Sequence, residues 1–199
     1  RLVGSEMCIR DRCRYLFRTS GDLFSANSVR NYLVSNGMKV HATTIDAYLG
    51  VLEDALILHS ATQDSLSEKA LLNPRRKYYP VDTGLRNLAS GFSNLDTGFQ
   101  LENVVYLELL RRRWDVSVGK TTGGEIDFVC RRGSDKLYIQ VSEDLSSPQT
   151  RKRALAPLNK LGDSFPKLVL TLDRLHEGVT ETGIRIEDAR NWLLEADHR

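Results

Sequence analysis

A chain of 199 residues, 41% hydrophobic and 27% charged, can bury a core and hold one domain or two small ones. Its longest apolar runs are of the kind of Val104–Leu107 and Ala55–Leu58, far short of the ~18 residues of a membrane span, so no membrane partner is expected. The formal net charge of +2 arises within residues 1–14, where Arg1, Arg10, Arg12 and Arg14 outnumber Glu6 and Asp11; the seven basic and seven acidic residues of 15–82, and the seventeen of each beyond, exclude a protein-wide field for a polyanion.

Residues 1–12, RLVGSEMCIRDR, carry neither a helical nor a strand period, and Leu2-Val3-Gly4 is too short for the core of a signal peptide. The stretch resembles a peptide produced by translating through a sequencing adapter, so residues 1–14 are expected to be a non-native or disordered tail. Cys8, Cys13 and Cys130 form no CxxC pair, the pattern of reduced thiols in a cytoplasmic protein.

After the tail, FSANSVRNYLVSNGMKV reads as a helix capped by Ser25 or Asn27, with Val29, Tyr32 and Leu33 on one face and Gly37 just past its end. HATTIDAYLGVLEDALIL follows as an amphipathic helix with Thr43 as its expected cap and Ile45, Tyr48, Leu49, Leu52 and Leu56 in one stripe. Two short helices with a glycine-containing turn suggest helix-turn-helix, and LILHSAT and KYYPVD, flanking a polar stretch, suggest the two strands of a wing. Pro74 and Pro80 restrict the second of these to an edge or a bulge. The second of the two helices exposes His41, Thr43, Thr44, Asp46, Glu53 and Asp54 and contains no lysine or arginine for phosphate; packing is its better reading.

From Val81 the pattern changes. TGLRNLAS and TGFQLENVVYLELLRRR read as helices, WDVSVGK, GEIDFVCR and KLYIQVS as strands, and PQTRKRALAPLNKL as a helix that Pro157 should kink or break. PKLVLTLD and GIRIED read as strands and ARNWLLE as a closing helix, an order that fits a layered α/β domain with a mixed sheet. The triplets Arg111-Arg112-Arg113 and Arg151-Lys152-Arg153 are candidate small basic patches, with a solvated helix face as the commoner explanation of each.

Two clusters bear on chemistry. Gly119-Lys120-Thr121 copies the end of a phosphate-binding loop, but Trp114 stands where the first glycine belongs, and a Gly-Gly turn and a strand follow instead of a helix; no ATP is expected here. In GEIDFVC strict alternation places Glu125, Asp127 and Val129 on one face and Ile126, Phe128 and Cys130 on the other, while Tyr138, Gln140 and Ser142 share a face of the next strand. Asp127 and Gln140 can then lie side by side, with Glu102 reaching the same point from the preceding helix. Nucleases of the PD-(D/E)xK kind hold Mg²⁺ there with two carboxylates and place a lysine two residues on. Gln140 brings no charge and Ser142 no cation, so Glu102, Asp127, Gln140 and Ser142 read as a degenerate nuclease site or as a hydrogen-bonding network that sets strand register.

Taken together, YYPVDTGLRN, FQLENVVYLELLRRRWDVSVGK, EIDFVCRR, KLYIQVS and PKLVLTLD resemble a prokaryotic family of predicted AAA-type ATPases. Those proteins carry a P-loop ATPase domain, a winged-helix region and a C-terminal domain of unknown function with a restriction-endonuclease-like core. The resemblance implies a winged-helix domain over residues 15–80 and a three-layer α/β/α nuclease-like domain over 81–199. It also implies that ATP is bound only by an N-terminal domain with no counterpart in this sequence. The expected role is a non-catalytic recognition module, with that ATPase domain and a DNA or protein partner as its associates. Weak nucleic-acid contact is expected through Arg151, Lys152 and Arg153, and at most weak Mg²⁺ binding at Asp127 and Glu102. The alternatives are a Mg²⁺-dependent endonuclease and a winged-helix DNA-binding regulator.

Overall fold

Ser25 starts the first helix, α1 (Ala26–Ser35), through a reciprocal cap: its side chain accepts from the Ser28 N–H, and the Ser28 hydroxyl accepts from the Ser25 N–H. The computed structural model describes residues 17, 19, 21–37, 39–64, 75–89 and 97–195; the expectations for residues 1–14, for Pro74 and for most of the polar stretch before it fall outside these. In α1 Val29 and Leu33 are buried while Tyr32, at the margin of the same stripe, is 48% exposed. Gly37 adopts the left-handed φ of +82° expected of a residue that ends a helix.

The next helix, α2 (Ala42–Asp54), begins at His41 and not at Thr43, because the His41 carbonyl already accepts from the N–H groups of Thr44 and Ile45; no side chain caps this end. Ile45 and Leu49 are buried as expected, but Leu56 is 67% exposed. The helix has ended at Asp54, and Leu56 takes a positive φ of 55° with its N–H on the Glu53 carbonyl, which turns the chain into β1 (Leu58–Thr62). β1 pairs with β2 (Arg76–Pro80) in a two-stranded sheet, and the Tyr78 ring stacks on Phe24 at 5.0 Å over the core of α1 and α2. A short helix, α3 (Thr83–Ala89), completes this first compact unit.

The second unit takes Thr62–Asp64 and everything described from Thr97 onward. It is built on a six-stranded mixed sheet. In chain order its elements are α4 (Thr97–Arg111), β3 (Asp115–Thr121), β4 (Gly124–Arg132), β5 (Asp135–Ser142), α5 (Pro148–Asn159), β6 (Lys167–Thr171), a 3₁₀ turn (Arg174–His176), β7 (Gly178–Val179), β8 (Arg185–Asp188) and α6 (Ala189–Leu194). The spatial order is β3-β4-β5-β6-β8-β7; β3, β4 and β5 run antiparallel, β5, β6 and β8 parallel, and β7 returns antiparallel on β8. The 3₁₀ turn and β7 carry no period long enough to be read from sequence. Helices cover both faces. Tyr106 of α4 lies on Phe128 with ring centroids 5.8 Å apart, while Val129 and Tyr138 pack with Ala154 and Leu158 of α5 on the other side. Pro157 does not kink the middle of α5; it sits in the last turn, and the helix ends at Asn159.

The β3–β4 hairpin docks so closely on α5 that its glycines are required. A Cβ on Gly123 would stand 2.4 Å from the carbonyl oxygen of Ala156, and Gly124 has a φ of +131°. Because the obstacle is helix backbone, the hairpin would have to lift. Gly123→Ala should therefore lower stability by about 2 kcal/mol, the usual range for overpacking, as a reduced urea midpoint at unchanged slope. Among the described residues, no helix is long and apolar enough to cross a membrane.

Candidate functional site

The strand that carries Asp127 does not alternate as its sequence suggests. Ser117 pairs with Val129 and Gly119 with Ile126, so Asp127 and Phe128 together oppose the single residue Val118: a β-bulge. The extra residue brings Ile126 and Val129 into the same apolar cluster, although strict alternation puts them on opposite faces. The bulge also interrupts the β4–β5 ladder, whose register runs only as far as Phe128 opposite Ile139.

Asp127 fills the interruption. Its side chain is buried, 7% exposed, and its Oδ2 accepts from the Val141 N–H at 2.9 Å and from Gln140 Nε2 at 2.6 Å. The carboxylate thus stands where a strand carbonyl would, satisfying an N–H that is expensive to bury unpaired. Gln140 turns its amide donor to the carboxylate, as charge requires; its Oε1 is buried and accepts no hydrogen bond among the described residues. Ser142 is turned away into the loop after β5, where its hydroxyl donates to the Asp144 carbonyl at 2.9 Å. Glu102 is half-buried on α4, one turn before the Tyr106 that packs on Phe128. The structure therefore joins Asp127 and Gln140 directly and sends Ser142 elsewhere. Among the described residues, no group of three or more His, Cys, Asp or Glu side chains could hold a metal ion.

The other sequence candidates separate. Gly119, Lys120 and Thr121 are the last three residues of β3 and turn directly into β4, with Lys120 exposed. Lys152 and Arg153 are exposed and Arg151 half-buried in the first half of α5. Arg112, read as part of a solvated triplet, is buried: it pairs with Glu108 at 2.6 Å, donates to the Trp192 carbonyl at 2.7 Å and lies 4.2 Å over the Trp192 ring. Asp188 caps α6, accepting from the N–H groups of Arg190 and Asn191, and pairs with the side chains of Arg190 and Arg174. These contacts, chiefly the Arg190 guanidinium, hold its carboxyl well below the usual aspartate range. An Asp directly before ARNWLLE was a legible N-cap signal; nothing in the spacing announced its arginine partners. Cys130 lies buried in β4, and burial pushes its thiol far up, which makes it inert.

The fold and this site define a two-unit α+β protein whose second unit is a helix-covered six-stranded mixed sheet with a buried Asp–Gln pair at an interrupted ladder. Residues 4–96 match a family described as a domain of unknown function (DUF8612). The chain is 32% identical over 181 residues to an uncharacterized protein of Haemophilus influenzae, across 91% of this chain and 44% of that protein. It thus spans less than half the length of that curated relative. No solved structure matches it.

Proposed function

We propose that this chain is a non-catalytic recognition module of an AAA-type ATP-binding protein, formed by a winged-helix unit and a degenerate restriction-endonuclease-like domain. The observation that carries the non-catalytic reading is the state of Asp127. Its Oδ2 already takes two donors, one of them the amide of Gln140. A Mg²⁺ ion needs oxygen lone pairs; Gln140 presents a donor to the carboxylate a metal would share, and Ser142 supplies no positive charge for a transition state. Asp127 and Glu102 are the residues that would hold any weakly bound Mg²⁺. The β5–α5–β6 crossover and the helices on both faces of the sheet support a nuclease-like architecture. The α1–α2 pair followed by a two-stranded sheet supports a winged helix. ATP would belong to a further domain, for which the greater length of the Haemophilus relative leaves room.

Recognition of a nucleic-acid partner falls to the exposed side of α5. Fluorescence polarisation with a short DNA duplex at low salt should show weak binding, reduced about tenfold when Arg151, Lys152 and Arg153 are all replaced by alanine, because phosphate contacts supply the affinity. Thr44→Glu should leave it unchanged. If Thr44→Glu abolished binding and the triple variant bound normally, α2 would be the reader and the regulator alternative would stand.

A further inference from the structure

We propose that the cleft between Trp114 and Phe165, at the end of the sheet where β4 turns into β5, seats one nucleotide of a single-stranded nucleic acid. The cleft has a volume of about 370 Å³ and is lined by Trp114, Arg132, Asp135, Lys136 and Phe165 among others, within the range of small-ligand sites. Three separate segments converge to make it. Trp114 follows α4 through Arg113, a non-glycine residue held at a φ of +60° with its N–H on the Leu110 carbonyl. Arg132 and Lys136 flank the β4–β5 turn, and Phe165 stands in the loop before β6, 40% exposed.

The chemistry pairs flat apolar surfaces with fixed cations. The Arg132 guanidinium lies 4.5 Å over the Trp114 ring and is anchored by the Arg112 carbonyl at 3.2 Å. The Lys136 ammonium sits between two rings, 4.6 Å from Tyr138 and 5.3 Å from Phe165, and 3.4 Å from Asp163. Its neighbours, first the Tyr138 hydroxyl and then Asp163, hold its pKa above the ordinary lysine value, so it stays charged throughout the neutral range. The exposed Phe165 ring offers a face on which a base can stack while neighbouring cations meet the phosphate, the combination that binds single strands without strong sequence preference. Asp135 adds a carboxylate on the rim, an acceptor for an exocyclic amino group such as that of cytosine. The left-handed Arg113 ends α4, with the Trp114 N–H on the Leu109 carbonyl, and so fixes the direction in which Trp114 leaves the helix. In a duplex the bases are already stacked on one another, so the ligand that fits is an unpaired one. This site stands apart from the basic triplet on α5 and does not depend on it.

The test is polarisation of a labelled cytosine-rich single-stranded oligonucleotide with wild type, Phe165→Ala, Phe165→Tyr and the triple alanine variant of α5, each checked by thermal melting. Phe165→Ala should weaken the single strand about tenfold through loss of one stacking surface, at unchanged melting temperature. Phe165→Tyr should restore affinity, and the α5 variant should bind the single strand like wild type. Free cytidine monophosphate should compete only far more weakly than the strand. An unbound strand, a Phe165→Ala variant that binds like wild type, or a free nucleotide that binds as tightly as the strand would each overturn the assignment.

Discussion

Replacing Arg112 by alanine is expected to destabilise the second unit by about 3 kcal/mol, the range found when one member of a buried pair is removed. The Arg112 and Glu108 side chains are only 9% and 12% exposed, and their contact is 2.6 Å. The same guanidinium donates to the carbonyls of Trp192 and Glu195 at the C-terminal end of α6 and covers the Trp192 ring. One cation therefore neutralises a carboxylate, satisfies carbonyls that a helix end leaves without partners and favours the negative end of the helix dipole. Alanine leaves Glu108 to Arg111 alone and opens a void beneath Trp192. Arg112→Lys keeps the charge but loses the planar fork, so it should recover about half of the loss. Urea unfolding followed by tryptophan emission at pH 7 measures both. An alanine variant within about 0.5 kcal/mol of wild type, the range of an ordinary surface substitution, would show that the triplet is solvated after all.

Removal of the Asp188 carboxylate is expected to cost about 2 kcal/mol at neutral pH, the sum of a lost helix cap and lost charge-assisted hydrogen bonds. The carboxylate has no accessible surface, yet its cover is two arginines, Arg174 and Arg190, that are 64% and 47% exposed. Left unpaired, they remain hydrated, which keeps the loss below that of a fully buried pair. Its folded pKa is depressed below the ordinary 3.8, so its contribution is complete above the ordinary aspartate range and is lost as pH falls below it toward the depressed value. The gap in urea midpoint between wild type and Asp188→Ala should be full at neutral pH and narrow as the solution is acidified below about pH 4. Asp188→Asn, which can still cap, should lie between the two at neutral pH. A gap independent of pH would mean that Asp188 has the same pKa folded and unfolded, and so that its arginine contacts contribute nothing.

The sheet was largely legible because its strands are short, apolar and separated by turn residues, and the hairpin from Gly123 to Ser142 falls where its pattern puts it. What alternation could not reveal is the bulge. GEIDFVC alternates from Glu125 to Phe128 and then stays apolar, and the extra residue exists only because Val118 of the neighbouring strand faces two residues at once. The pairing of Asp127 with Gln140 was legible as neighbouring positions; that Gln140 donates to the carboxylate instead of presenting its oxygen depends on charge at close range. Arg112 illustrates the reverse error. Three arginines at a helix end read as solvated, but α6 closes over the middle one, a contact of residues 80 apart that no local window contains. Leu56 was misplaced because a stripe of apolar residues continues past Asp54 while the backbone does not.

Whether the Asp127–Gln140 pair locks a strand register, as proposed, or holds a working metal is decided by a plasmid-nicking and oligonucleotide-cleavage assay. It is run with Mg²⁺ and with Mn²⁺ on wild type and Asp127→Ala, with a thermal melt of each. Loss of the carboxylate leaves the part-buried Val141 N–H without its acceptor, so no cleavage by either protein is expected, with a lower melting temperature for the variant. Metal-dependent cleavage by wild type that disappears in Asp127→Ala, with the two proteins equally stable, would contradict the proposal.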